Sequence, residues 1–247
     1  MENSQEPKKV EVVEYRVGKE GSGDVARYDA IRYEGPANRY KQTVMENAYL
    51  RLIGSLEGKR ILDVGCGTGR GLARYASQAT LAVGCDASHD MLTYARRKCA
   101  GQPRCVLLQS HAQQLPFPTA YFDVVTALNF LHLFRVETQR EMIAEMKRVV
   151  HAGGILILEF DNALQGGLLG LYKRWFRDEP GSLPHEIRYA LGDGCRVRKI
   201  HGAVFPVVWR ALYHFPQVSV PLERIAYLPG FNRLSHRIYY QVEVLGG

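Results

Sequence analysis

An acid followed by three alternate glycines is the part of this chain best suited to chemistry. In Ile61-Leu62-Asp63-Val64-Gly65-Cys66-Gly67-Thr68-Gly69-Arg70 an apolar pair leads into Asp63, and Gly65, Gly67 and Gly69 follow at every second position. Each glycine removes a Cβ where the backbone must turn tightly or let a ligand approach. The apolar start reads as the buried end of a parallel strand, and Gly71-Leu72-Ala73-Arg74-Tyr75-Ala76 reads as a helix. In an open α/β sheet such a strand–loop–helix turn faces the crevice where ligands bind. Seventeen residues after Gly69 a second apolar run, Leu81-Ala82-Val83-Gly84-Cys85, ends in Asp86. An acid at the tip of the second strand of a nucleotide-binding fold hydrogen-bonds ribose hydroxyls. The plainer role for Asp86 is a cap on the next helix, which Ser88 opens and Asp90 supports in its first turn.

The G-x-G-x-G spacing differs from the G-x-G-x-x-G that opens a helix on a pyrophosphate. With an acid two residues before its first glycine, it resembles motif I of the class I S-adenosylmethionine-dependent methyltransferases. Their ligand carries a cationic ammonium and sulfonium, which Asp63 suits better than a phosphate cradle would. Other blocks follow in the family's order. Leu107 to Pro118 resembles the segment G-D-A-x-x-L-P-F, Tyr121-Phe122-Asp123-Val124-Val125 the following F-D-x-V, and Met146 to Leu158 the R-V-L-K-P-G-G turn. The matching blocks cover roughly residues 58–160 and lie nearest the small-molecule, ubiquinone/menaquinone-type group.

One departure is plain. Ser110-His111-Ala112 stands where the family has G-D-A, so the Ala112 N–H is left for the adenine edge and His111 can only accept through a neutral ring nitrogen or stack. The resemblance implies S-adenosyl-L-methionine as cofactor, with contacts from Asp63, Gly65, Cys66, Gly67 and Gly69, from Asp86, Ala87 and Met91, and from His111 and Ala112. Tyr28 resembles an N-terminal tyrosine that folds over the cofactor, and Asn129 is expected beside its methionyl end. The fold implied is α/β, a Rossmann-like doubly wound, mostly parallel seven-stranded sheet with an antiparallel terminal strand pair and an elaborated C-terminal acceptor region.

The sequence supplies elements to hold these residues. Strands are expected near 60–64, 81–86, 104–109, 122–128 and 154–160, and helices near 70–78, 88–100 and 136–150. Asn38 to Leu56 carries Val44, Ala48, Leu52 and Leu56 at helical spacing. Gly153-Gly154 is expected to end a helix in a left-handed turn. Gly194 to His201 and His236 to Val244 alternate like half-buried strands, matching the terminal pair of the family. Residues 1–24 read as a flexible arm, and 25–247 as one domain with a cofactor core at 58–160 and an acceptor-binding insertion at about 162–232. Within that insertion, Gly166 to Arg177 reads as an amphipathic lid helix or a weak membrane-surface contact, and Phe205 to Phe231 as an elaborated loop.

Composition narrows the classes. The 247 residues, 46% of them hydrophobic, suffice for one well-filled core. No run is long and apolar enough to span a bilayer, and the polar start lacks a signal peptide's features, so a cytoplasmic protein is expected. Five cysteines without a C-x-x-C pair suggest neither a disulfide framework nor a metal site. The net charge is +7, and residues 166–247 carry 11 Lys/Arg against 6 Asp/Glu, which suits nucleic acid, anionic lipid or an acidic substrate. No RNA-binding module is readable there.

Methyl transfer from a sulfonium is an in-line displacement, in which positioning supplies much of the rate. Where a general base helps, histidine is the residue poised near neutral pH, and His132 follows the fourth strand at the expected crevice. The leading expectation is a methyltransferase acting on a small, apolar or aromatic acceptor, by O-, N- or C-methylation. Two alternatives stay open: an RNA or other nucleic-acid methyltransferase using the basic last third, and a non-catalytic adenosyl-ligand-binding scaffold. Nucleic acid is disfavoured because Leu128-Asn129-Phe130-Leu131 replaces the N/D-P-P-Y/F signature of amino-methylating enzymes.

Overall fold

A computed structural model describes residues 25–164, 181–204 and 213–246. Alternating apolar runs and helical stretches build strands β1 (Arg60–Val64), β2 (Leu81–Asp86), β3 (Cys105–Gln109), β4 (Phe122–Ala127) and β5 (Val150–Asp161). Between or before them lie helices α1 (Val25–Tyr33), α2 (Pro36–Ile53), α3 (Arg70–Tyr75), α4 (His89–Lys98) and α5 (Val136–Val149). The chain continues through α6 (Pro184–Leu191), β6 (Cys195–Ala203), α7 (Pro216–Leu222), two short 3₁₀ turns (Glu223–Tyr227 and Phe231–Leu234) and β7 (Arg237–Val244). The seven strands form one sheet in the order β3-β2-β1-β4-β5-β7-β6. The first five are parallel, and β7 runs antiparallel to both β5 and β6. The expected doubly wound sheet and its terminal pair are present.

Period-two alternation along β1 covers both faces. Ile61 packs with Leu72 and Tyr75 of α3 and with Leu52 of α2, whereas Leu62 and Val64 pack with Met142, Ile143 and Met146 of α5. Both faces are thereby closed by helices, as a parallel sheet requires. Ser88 opens α4 as expected, its Oγ accepting the Met91 N–H at 3.3 Å.

Two expectations change. The pair Gly153-Gly154 does not cap α5: the helix ends at Val149 and the chain passes directly into β5. Pairing jumps from Phe122↔Val150 to Val124↔Ile155, so the glycines lie in a bulge. Gly153 has φ +82°, and a Cβ on Gly154 would sit 2.6 Å from Val150 Cγ1. The stretch expected to be a loop after Phe205 contains α7 and both 3₁₀ turns within its described part. The arm at 1–24 and the segment 166–177 lie outside the described residues, as does 205–212. Among the described residues, no helix is long and apolar enough to cross a membrane, and no cluster of His, Cys, Asp or Glu is arranged to hold a metal ion.

Candidate active site

The glycine loop is held by its neighbours on β2. Gly65 and Cys66 both donate their N–H groups to the Cys85 carbonyl, at 2.8 and 3.0 Å. Gly65, Gly67 and Gly69 have φ values of +69°, +53° and +74°, a region that side chains with a Cβ rarely adopt. At Gly65 steric need adds to the conformational one: a Cβ would lie 2.2 Å from Cδ2 of Phe130. At Gly69 it would lie 2.9 Å from the Cβ of Ala95, so this glycine serves the packing of α3 on α4. At Gly67 a Cβ would meet no protein atom within 4 Å, and the bare backbone there lines the cavity described below.

Two carboxylates stand at this loop. Asp86, at the tip of β2, accepts the Gly67 N–H through one oxygen and the Ser88 N–H through the other, each at 2.9 Å. Capping and loop-holding are therefore one arrangement, which leaves further lone pairs on each oxygen for a ligand. Burial pushes the Asp86 carboxyl upward against these amide bonds. Asp63 is 4% exposed and accepts the Thr126 hydroxyl at 2.7 Å. Burial, opposed by hydrogen bonds from Thr126 and Tyr75, raises its pKa from 3.8 to about 6. Among the described residues no ion pair reaches Asp63.

Both acids border a cavity of about 700 Å³ at the carboxyl ends of the parallel strands. Of the residues expected from sequence, Tyr28, Gly65, Cys66 and Gly67 line it with Asp63, and Ala87, Met91, His111, Ala112 and Asn129 line it beyond Asp86. Gly69 is not in the lining. Asn129 has φ +52°, unusual outside glycine, and its N–H donates to the buried Glu159 at 3.1 Å. That bond turns the end of β4 across the cavity.

His132 is also absent from the lining. Its Nδ1 is buried without a hydrogen-bond partner. Burial, with Arg237, Arg32 and His236 nearby, drives its pKa from 6.5 down to about 3. So weak a base, set back from the cavity wall, does not suit the expected catalytic role. His236 does line the cavity, next to Arg237.

Sequence reading missed the opposite wall. It is supplied by Arg32 and Tyr33 of α1, by Lys41, Met45 and Tyr49 of α2, and by Phe130, Phe134 and Val204. No local motif marks these positions; the aromatic and basic run Arg27-Tyr28, Arg32-Tyr33 is the one available signal. Arg237 pairs with Asp161 and, at 3.3 Å, with Glu159. Helix α1 is fastened over the loop through Asp29, which accepts the Thr68 hydroxyl at 2.8 Å and pairs with Lys98 of α4. The Arg70 guanidinium sits 3.7 Å from the Tyr33 ring centroid and 3.8 Å from Glu46.

Residues 61–154 match the protein family described as "Methyltransferase domain". That match takes in the glycine loop and the tips of β1, β2 and β4. It is 38% identical over 114 residues to a demethylmenaquinone methyltransferase of Clavibacter sepedonicus, a match covering 46% of each chain. It is 38% identical over 104 residues to a phosphatidylethanolamine N-methyltransferase of Cereibacter sphaeroides, covering 41% of this chain and 50% of that one. The chain thus spans about half the length of the curated relatives it matches. Among solved structures, magnesium protoporphyrin IX methyltransferase of Synechocystis PCC 6803, with bound S-adenosylhomocysteine, is similar with a TM-score of 0.61. That likeness covers 90% of this chain and 94% of the other at 21% identity, and it shows the shared fold.

The residues of this site fit an adenosyl and amino-acid ligand. Bare backbone at Gly67 borders the cavity, a carboxylate with lone pairs to spare stands at the tip of β2, and a second buried carboxylate is positioned for a cation.

Proposed function

We propose that the chain transfers a methyl group from S-adenosyl-L-methionine to a small, apolar or aromatic acceptor. The observation that carries this reading is the convergence of Asp63, Asp86 and the glycine loop on one cavity. Bound there, S-adenosylmethionine would supply an electrophilic methyl group to the acceptor, with S-adenosylhomocysteine as the leaving group. Asp86 accepts the ribose hydroxyls, the Ala112 N–H meets the adenine edge, and Met91 packs beside it. Asp63 supplies the negative charge facing the cationic amino-acid end, with the turn at Asn129 beside it. Tyr28 closes the site from α1. The acceptor occupies the wall formed by Met45, Tyr49, Phe130 and Phe134, whose apolar surface excludes water and aligns the nucleophile. Where a proton must leave the acceptor, His236 is the candidate to take it.

The curated relatives named for menaquinone and for a phospholipid support an apolar acceptor. The nucleic-acid reading loses ground because the basic last third is partly neutralised within the fold: Arg196 and Arg198 both pair with Glu243. The test is transfer from methyl-labelled S-adenosylmethionine to a panel of apolar phenols, quinols and lipids, with RNA as a parallel acceptor. Label in an organic product, lost in Asp86→Ala, is the expected result. Label in RNA alone overturns the reading.

A further inference from the structure

The segment that follows the undescribed stretch at 205–212 is built inside out. Along α7 and the turn after it, Ser219, Glu223 and Ala226 recur at the spacing of one helical face and are buried. The Ser219 hydroxyl donates to the Phe215 carbonyl at 3.0 Å, and Tyr40 of α2 donates to Glu223 at 2.6 Å. The neighbouring face carries Val218, Leu222, Ile225 and Leu228, again at helical spacing, and these are the exposed residues. Val218 is 54% exposed and Leu228 is 52% exposed. Phe215, Phe231 and Leu234 extend the surface on either side, with Phe215 at 59%. Seven of the eleven large apolar side chains exposed among the described residues thus fall within twenty consecutive positions. Ordinary surface helices place polar groups outward, and contiguous exposed apolar area marks a docking face.

Charge selects the occupant. Between Tyr213 and His236 the acidic side chain is Glu223, which points inward to Tyr40, while Arg224 and Arg233 are exposed. An apolar row whose own segment turns arginines outward and its acid inward complements an anionic lipid bilayer, where arginines meet headgroups and the apolar row enters the acyl boundary. A second copy of the same face would set arginines against arginines. We propose that residues 215–234 dock this protein on anionic membrane surfaces. The face adjoins the cavity through α2, which holds Glu223 at Tyr40 and lines the cavity with Lys41 and Met45.

The experiment is co-sedimentation of the full chain with phosphatidylcholine vesicles, with and without phosphatidylglycerol, alongside light scattering of the lipid-free protein. Binding to the phosphatidylglycerol vesicles is expected, at least tenfold weaker in the double variant Val218→Ser, Leu228→Ser, and roughly fivefold weaker for Arg224→Gln or Arg233→Gln. These positions are exposed, so the melting temperature and the affinity for S-adenosylhomocysteine should stay at wild-type values. No binding to anionic vesicles, or binding indifferent to the double variant, overturns the proposal. So does a lipid-free dimer that the double variant converts to monomer, since a second copy then covers the face. Loss of S-adenosylhomocysteine binding in the parent protein would count against the proposed reaction and leave this readout unaffected.

Discussion

Thr126 on β4 donates its hydroxyl to Asp63 on β1 at 2.7 Å. This bond spans the two strands between which the sheet changes direction, where ligands bind in open α/β sheets. It satisfies one oxygen of a carboxylate that burial disfavours, and it leaves the pKa at about 6. Below the ordinary value of 3.8 both folded and unfolded chains carry the proton, and above about 6 neither does. In between, the folded chain holds a proton that the unfolded chain has lost, so stability falls as pH rises across that window. The charged form therefore costs roughly 3 kcal/mol at neutral pH. Asp63→Asn should raise the thermal midpoint at neutral pH by roughly 5 °C or more and leave it unchanged below pH 4. An equal or lower midpoint at neutral pH would show that Asp63 is not strained by burial.

The same proton bears on the ligand. A cationic amino-acid end favours ionised Asp63, so affinity for S-adenosylmethionine should weaken as pH falls through about 6. Titrations across this range should show a slope in the wild type and a flat, at least tenfold weaker profile in Asp63→Asn. A slope that persists in the variant would place its origin at another group.

Gly65 and Phe130 form a testable pair because a Cβ on the first would lie 2.2 Å from the ring of the second. Gly65→Ala should cost about 1–3 kcal/mol from overpacking, with a further cost from the positive φ. Phe130→Ala in the same chain should recover the first contribution and not the second. Denaturant unfolding of the two single variants and the double variant measures the coupling; strict additivity would mean the ring moves aside at no cost.

Asp29 fastens α1 over the glycine loop through Thr68 and Lys98. Asp29→Ala should increase amide exchange across α1 and weaken S-adenosylhomocysteine binding by roughly tenfold, the lower end of what a hydrogen bond to a charged group is worth. Exchange unchanged in α1 would assign its placement to the Arg70–Tyr33 contact instead.

What was legible in the sequence is what local spacing encodes. The glycine loop, Asp86 and the Ser88 cap are each set by residues within a turn or two, and the alternation of strand and helix placed the parallel strands. The failures have physical reasons. Gly153-Gly154 reads as a helix end because left-handed glycines are common there, yet the pairing register of β4 with β5 uses them for a bulge. His132 follows β4 in sequence, and the 3₁₀ turn over Leu131–Leu133 leaves its Nδ1 buried and the residue outside the cavity lining, which local spacing does not record. The wall from Arg32 to Tyr49 and the His236-Arg237 pair are brought together only by tertiary packing of α1, α2 and β7, which no short motif records. The apolar row after Phe215 is ambiguous in sequence, since helical spacing cannot say which face turns inward.

The most direct test of the account is calorimetric titration of the chain with S-adenosylhomocysteine, beside Asp86→Ala and with NADH as control. Micromolar binding of S-adenosylhomocysteine, weakened at least tenfold (about 1.4 kcal/mol) in the variant, together with no NADH binding, is the predicted result. Binding that the variant leaves intact, or no binding by the wild type, would contradict the assignment of this cavity.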